Sequence, residues 1–472
     1  MNTQHVDLAI IGSGSGNSLI TPFWDDKLVA IAERGVFGGT CLNVGCIPTK
    51  MFVRPATLAR TPEEAARLGV TMRTEAVDWA AIRDRVFGRI DPISAGGERY
   101  REELDNVVLV SQNVRLDGPR AFVADDGTRI EADQLVIAAG SRAVLPDIPG
   151  IDLPGVHTSD TVMRLEEFPA RVLVVGGGYI ACEFAGVFSG LGAEVVQLMR
   201  GDRMLRQLDR DVAEHFAASA AKHWETRFET DLASLEPREG GGLVATLSSK
   251  GGGSERIEAD VVLVAIGRRP NSDLVGAAEA GLDLLEDGRI AVDEFQRVLS
   301  GGDPVTGVYA LGDVSSPFQL KHVANHEARV VAHNLEHPAE LIGPRHDAVP
   351  AAVFSNPEIG QVGLTEAAAI EKIGAENVTV KTQNYGDTAY GWAMEDTEGI
   401  CKVVGDRRDG TILGAQIVGY QASNLVQVVV TAMSFGIDAH AAARGQYWIH
   451  PALMEVVENA LLGLDVPQTT LA

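Results

Sequence analysis

Short, continuous apolar runs recur along the chain: Val6 to Ile11, Leu28 to Ala32, Leu135 to Gly140, Arg171 to Val175, Glu194 to Met199, Val261 to Gly267 and Val308 to Asp313. Unalternating runs of this length predict strands buried on both faces, as in a parallel sheet covered by helices. Between them, Met51 to Leu68 reads as a helix, and Val77 to Leu104 as a second one broken near Asp91-Pro92. Asn106 to Ile130 holds short alternating runs and Asp-Gly turns, which predict antiparallel strands. Pro146, Pro149 and Pro154 mark a linker, and residues from about 345 to 472 alternate strand and helix in a different style.

Two of the strands run straight into glycine turns. Val6 to Ile11 meets GSGSGN, Gly12 to Asn17, with Gly12 and Gly14 in the places of a G-x-G-x-x-G turn and Asn17 in the place of its third glycine. The first glycine makes the turn, and the second lets a diphosphate approach the start of a helix. That helix is expected to be interrupted at Pro22. The next strand ends at Glu33, 21 residues beyond Gly12, where an acid can bind a ribose hydroxyl. The pattern repeats in RVLVVGGGYIACEFAG, with Gly176, Gly178 and Ala181 in G-x-G-x-x-A form. There the following strand ends in Arg200, with Arg203 and Arg206 beyond it. Arginine in place of the acid can pair with a 2′-phosphate, the alternative being a solvated basic loop. VYALGD offers Asp313 to a ligand hydroxyl. The fold class expected is therefore α/β, with two Rossmann-like nucleotide-binding domains and an α+β C-terminal domain.

The most specific stretch is GGTCLNVGCIPTK, Gly38 to Lys50, which separates Cys41 from Cys46 by four residues in a chain with 4 cysteines. Two buried inert thiols or half a zinc site would also fit a bare pair, but no second pair exists to complete a metal site. Pro48 suits a first helical turn, so Cys46 is expected at a helix N-terminus, where thiolate is favoured. Such a pair can exchange electrons with an adjacent acceptor. Near the end, His450-Pro451 precedes a helix expected to start at Pro451 and to carry Glu455. A histidine held by a carboxylate is an acid–base pair poised near neutral pH. His322 and His326 stand i, i+4 but lack a third ligand, so a metal is not expected there.

The chain has 472 residues, room for about three domains. Its net charge of -25 argues against nucleic acid and anionic membranes as partners. No apolar run reaches membrane-spanning length, and the N-terminus lacks a basic leader, so the cytoplasm is the expected compartment.

Taken together, GGTCLNVGCIPTK, the two glycine turns, LVIAAG, VYALGD and the terminal His450-Pro451 with Glu455 resemble the pyridine nucleotide–disulfide oxidoreductases, among them glutathione reductase and dihydrolipoamide dehydrogenase. The resemblance spans the chain. It implies an FAD domain (1–150, completed by 269–344), an NADPH domain (151–268) and an interface domain (345–472) in a homodimer. It further implies that Gly12, Gly14, Glu33, Gly39, Thr40, Lys50, Gly140, Gly312 and Asp313 hold FAD, and that Gly176, Gly178, Arg200, Arg206 and Gly267 hold NADPH. Cys46 would be the thiolate against the flavin, Cys41 the thiol that attacks substrate, and Tyr179 the cover of the nicotinamide pocket. Lys50 would pair with Glu183 beside the flavin. His450, oriented by Glu455, would come from the second subunit. GSGSGN, KHVANHEARVVAHN, YGDTAYGWAMEDT and GQYWIHPALMEVVENALLGL point within the family to mycothione, a disulfide bearing sugar and inositol hydroxyls. The alternative is an NAD-linked dihydrolipoamide dehydrogenase or another small-disulfide reductase.

Overall fold

The computed structural model describes residues 3–470 and holds three main sheets. In the first, the order is Arg297–Ser300, Asp303–Ala310, Arg129–Ile137, Thr3–Ile11, Val29–Ala32 and Val107–Val110. Thr3–Ile11 lies at its centre and pairs in parallel with both Val29–Ala32 and Arg129–Ile137. The four residues of Val29–Ala32 are all buried, as an unalternating run requires when both faces are covered. The second sheet is wholly parallel, in the order Glu225–Arg227, Glu194–Leu198, Arg171–Val175, Val261–Val264, Val156–His157. Parallel strands of this kind leave their ligand-binding turns at the carboxyl ends. The third sheet has five antiparallel strands, Pro350–Val353, Ile359–Gly363, Ile412–Val418, Ile400–Asp406 and Val378–Asn384. The helices Ala422–Ser434 and Glu455–Leu462 bury their apolar faces in its core.

Several expected elements come out differently, each for a local reason. Trp79–Glu102 is one 24-residue helix that runs through Pro92 without a break. Pro92 lies on the exposed face, and the carbonyl it strands belongs to Gly88, also exposed, so solvent can satisfy it. The buried face, with Val86, Phe87 and Ile90, holds the helix straight through the defect. Met51 to Leu68 forms two helices, Cys46–Ala59 and Thr61–Arg67. Val107–Val110 joins the parallel sheet, while Val114–Leu116, Ala121–Ala124 and Arg129–Ile137 make the antiparallel meander. After the first glycine turn there is no α-helix, only the 3₁₀ turns Gly16–Leu19 and Pro22–Trp24. The last helix starts at Glu455, four residues beyond Pro451, because the residues before it close tighter i, i+3 turns such as Glu455 N–H to Ala452 O.

A buried lysine of the third sheet is tied to the start of the helix Arg210–Ala220. Lys402, 3% exposed, lies 2.8 Å from Glu366, 2.9 Å from Asp211 and 3.4 Å from Asp209. Asp209 also accepts from Gln416 and from the Glu366 amide. Removing the cation leaves Asp209 buried without a counter-charge, the costly way to break such a cluster. Lys402→Met is expected to lose about 3 kcal/mol of stability, measured as a clear drop in thermal midpoint; an unchanged midpoint would refute the cluster's structural part.

Candidate active site

One cavity of about 1000 Å³ runs between the carboxyl ends of the first sheet and the helix after the second glycine turn. Its floor is glycine by steric necessity. A Cβ on Gly12 would stand 2.3 Å from the Ala138 carbonyl oxygen, and one on Gly39 2.6 Å from the Gly14 Cα. This leaves a backbone cradle that a flat, phosphate-bearing ligand can enter. At one end, Glu33 accepts from the Ser13 amide and hydroxyl, at 3.1 and 2.6 Å, and from the Gly35 amide at 2.9 Å. The carboxylate is thereby aimed into the cavity from the end of its strand.

Thr40, Gly140, Gly312 and Asp313 line the same space. The Ser141 hydroxyl donates to Asp313 at 2.6 Å, and Arg268, with an 8% exposed side chain, donates to Ser141 at 2.8 Å. The Gly312 amide donates to Glu327, a buried carboxyl that burial pushes up and this amide bond pulls down. Ser141 and Arg268 carry no motif signal of their own, and Ser13 and Glu327 lie within quoted stretches without being singled out for this role. Only the neighbouring glycines Gly12, Gly140 and Gly312 mark where to look.

The thiols meet in the middle of the cavity. Cys41 lies in the short helix Gly39–Asn43, and Cys46 is the first residue of Cys46–Ala59. The Cys46 side chain chiefly lowers the Cys41 thiol, to about 7, with Lys321 adding to the effect. Cys46 is pushed up, first by the Cys41 hydrogen bond and then by burial, while Lys50 pulls it down. Cys46 thus starts a helix, as expected from Pro48.

One turn after Cys46, the Lys50 ammonium donates to both oxygens of Glu183 at 2.7 Å and sits 4.2 Å from the centre of the Phe354 ring. Glu183 also accepts from the Phe354 amide at 3.0 Å. Tyr179 opens the helix Tyr179–Gly190 and faces the cavity, its hydroxyl pushed up to about 12 by burial.

Arg200 and Arg206 line a second cavity of about 620 Å³ beyond the second sheet, with Lys250 opposite. Gly176, Gly178 and Gly267 lie on neither cavity wall. A Cβ on Gly176 would meet the Ala265 oxygen at 2.2 Å, so the turn itself requires glycine. Among the described residues, His450 and Glu455 stand 3.7 Å apart but line neither cavity; the His450 side chain is 70% exposed. Asn17, in the place of the third glycine, accepts from buried Arg101 at 2.8 Å.

No helix among the described residues is long and apolar enough to cross a membrane. The model of the pyridine nucleotide-disulphide oxidoreductases matches residues 6–328, and that of their dimerisation domain matches 349–461. The chain is 51% identical over 469 residues to a mycothione reductase of Mycobacterium tuberculosis, covering 97% of this chain and 99% of that one. It is 32% identical to a glutathione reductase of Burkholderia cepacia (96% and 98% covered) and 34% identical to a dihydrolipoyl dehydrogenase of Haloferax volcanii (96% of each). In fold it is similar to a flavoprotein disulfide reductase of Escherichia coli, with a TM-score of 0.83 at 24% identity over 97% of this chain and 99% of that one. With both family models matched and a thiol pair set in a dinucleotide cavity, the chain belongs to the pyridine nucleotide-disulphide oxidoreductases, FAD-dependent enzymes that pass electrons between a pyridine nucleotide and a disulfide.

Proposed function

We propose that the protein is an NADPH-dependent reductase of mycothione. The observation that carries the chemistry is the Cys41–Cys46 pair inside the cavity that also holds the Gly12 cradle, Glu33 and Tyr179. The substrate follows from the 51% identity over nearly the whole chain to relatives named mycothione reductase. The residues fit the cofactor: the Gly12–Gly14–Gly39 cradle leaves room for a diphosphate, Glu33 for a ribose, and Asp313 for further hydroxyls. When bound, FAD supplies the hydride-to-electron-pair relay between NADPH and the cysteines. Arg200 and Arg206 are the cations for the 2′-phosphate, Gly176, Gly178 and Gly267 shape the NADPH turn, and Tyr179 covers the nicotinamide pocket. Lys50, fixed by Glu183, holds positive charge beside the thiols. Residues 1–150 with 269–344, 151–268 and 345–472 are the FAD, NADPH and interface domains of a homodimer. The cytoplasm, which keeps thiols reduced, is the proposed compartment.

The thiol steps balance on this chain's residues. The Cys41 thiolate attacks one sulfur of the disulfide; a Cys41–substrate bond forms, and the substrate's own S–S bond breaks. The departing thiolate takes a proton from His450, held by Glu455 and supplied by a second copy of the chain. Cys46 then attacks Cys41, releasing the second thiol and restoring the Cys41–Cys46 disulfide. Once Cys41 is tied up in the mixed disulfide its charge is gone. The opposing sulfur charge is then removed from Cys46, while Lys50 still pulls it down against the cost of burial, which readies it for that second attack.

Three measurements check this reading. NADPH oxidation is expected with mycothione and not with glutathione disulfide or lipoamide, and Arg200→Glu should shift preference towards NADH. Turnover with lipoamide and NAD(H) alone would support the dihydrolipoamide dehydrogenase alternative instead. Alkylation of the reduced enzyme should accelerate as pH rises through about 7, the value to which Cys41 is lowered; Cys46→Ala should move that midpoint up towards an ordinary thiol, about 8.5. His450→Ala should slow turnover by about 10²-fold or more. Mixing it with inactive Cys41→Ser should restore activity in hybrid dimers; no recovery would place the histidine's action within one subunit.

A further inference from the structure

We infer that Lys321 is the cation that receives the FAD diphosphate, in the part that a helix after the first glycine turn otherwise plays. The inference rests on the family's FAD. In a dinucleotide fold the diphosphate meets the N-terminus of the helix that follows the glycine turn, whose aligned peptides supply partial positive charge. Here only the four-residue 3₁₀ turn Gly16–Leu19 follows, so few peptides are aligned. Two phosphate charges at this turn therefore lack their usual compensation. The nearby guanidinium of Arg101 cannot give it, because Asn17 holds it through its side-chain and main-chain oxygens.

Lys321 approaches the same turn from across the cavity. It opens the helix Lys321–Glu336, lines the cavity, and donates from its ammonium to the Ser15 hydroxyl at 2.8 Å. Ser15 sits between Gly14 and Gly16 and lines the cavity too. The charge pattern around it points to an anionic ligand. Lys50 is bound to Glu183 and Arg142 to Asp273, each at 2.7 Å, and Arg268 stands 3.9 Å from Asp160. Arg34 is exposed at the rim. Lys321 is half-buried, and among the described residues it has no carboxylate within ion-pair distance. Its hydrogen-bond partner is the Ser15 hydroxyl and it also acts on the Cys41 thiol, which leaves it without a permanent counter-charge. A diphosphate seated on the Gly12–Gly16 turn completes it, and Lys acts on phosphate as a point charge that needs no bidentate geometry.

The test is release of FAD from purified holoenzyme, followed by the recovery of free-flavin fluorescence on serial dilution. Lys321→Gln is expected to raise the FAD dissociation constant about tenfold or more, the weight of a charge-assisted contact, with Lys321→Arg keeping most of the affinity. Asn325→Asp is the second variant. Asn325 is exposed and lies 3.5 Å from the Ser15 hydroxyl, so an added carboxylate there neutralises Lys321 without disturbing the core. It should weaken FAD in the same direction even if Lys321→Gln does not fold. Unchanged FAD affinity in both variants would overturn the inference, and so would a shifted flavin potential with unchanged affinity, since it would assign Lys321 to the flavin ring. Wild-type protein isolated without flavin would instead overturn the cofactor reading itself.

Discussion

The active site depends on one close helix–helix contact. Cys46–Ala59 carries the redox pair's second thiol and Lys50, and Tyr179–Gly190 carries Tyr179 and Glu183. The two are 133 residues apart at Lys50 and Glu183, and they meet where small residues allow it. A Cβ on Gly190 would stand 3.0 Å from the Ala56 carbonyl oxygen. At that approach the Lys50–Glu183 bond spans the two helices and sets their register, a use of a largely buried ion pair better attested than net stability. Loosen the contact and the thiols leave the place where the second nucleotide turn faces the first.

The same contact explains the electrostatics of the thiols. A single proton shared by two sulfurs is held by whichever sulfur the surroundings make more basic. In the free pair Cys41 gives up its proton first, because the Cys46 hydrogen bond and Lys321 both stabilise its charge. Lys50 and the helix start favour charge on Cys46, yet they lose while Cys41 is itself charged beside it. The site therefore needs no moving part to change nucleophile. Bonding Cys41 to a substrate sulfur removes the opposing charge, and with it the largest influence that pushes Cys46 up.

How far the sequence announces all this depends on how local each feature is. The cysteine pair, its helix start, the two glycine turns and Glu33 are written within about thirty residues of one another or in a repeated pattern, so spacing alone reveals them. The parallel strands are equally plain, since burial on both faces erases alternation. Pro92 misleads because a local rule, that proline ends helices, is overridden by a buried face that only the folded chain supplies. Asn17 misleads in the opposite sense: it looks like a small flaw in a glycine motif, whereas its partner Arg101 lies 84 residues away on another helix. Arg268, Ser141 and Lys321 are invisible to spacing for the same reason. Each reaches the cavity from a distant segment, and no spacing ties any of them to the glycine turns or the cysteine pair.

The C-terminal pair poses the remaining physical question. His450 is open to water beside a mostly buried Glu455, and an imidazole so solvated is a weak tool for protonating a leaving thiolate. Just before His450 in the chain, Tyr447 and Ile449 are strongly exposed. Large apolar side chains left in water beside an acid–base pair mark a surface built to be covered. The Glu455 Oε2 atom is buried without a hydrogen-bond partner, which is costly unless His450 is drawn closer than its present 3.7 Å. Covering this face by a second copy, as a dimerisation domain implies, would exclude water, tighten the pair and raise the strength of its charge interactions at once. On the proposed role of His450, the chemistry of the thiols and the assembly of two chains become one requirement, since a second copy would supply the desolvation that the acid needs.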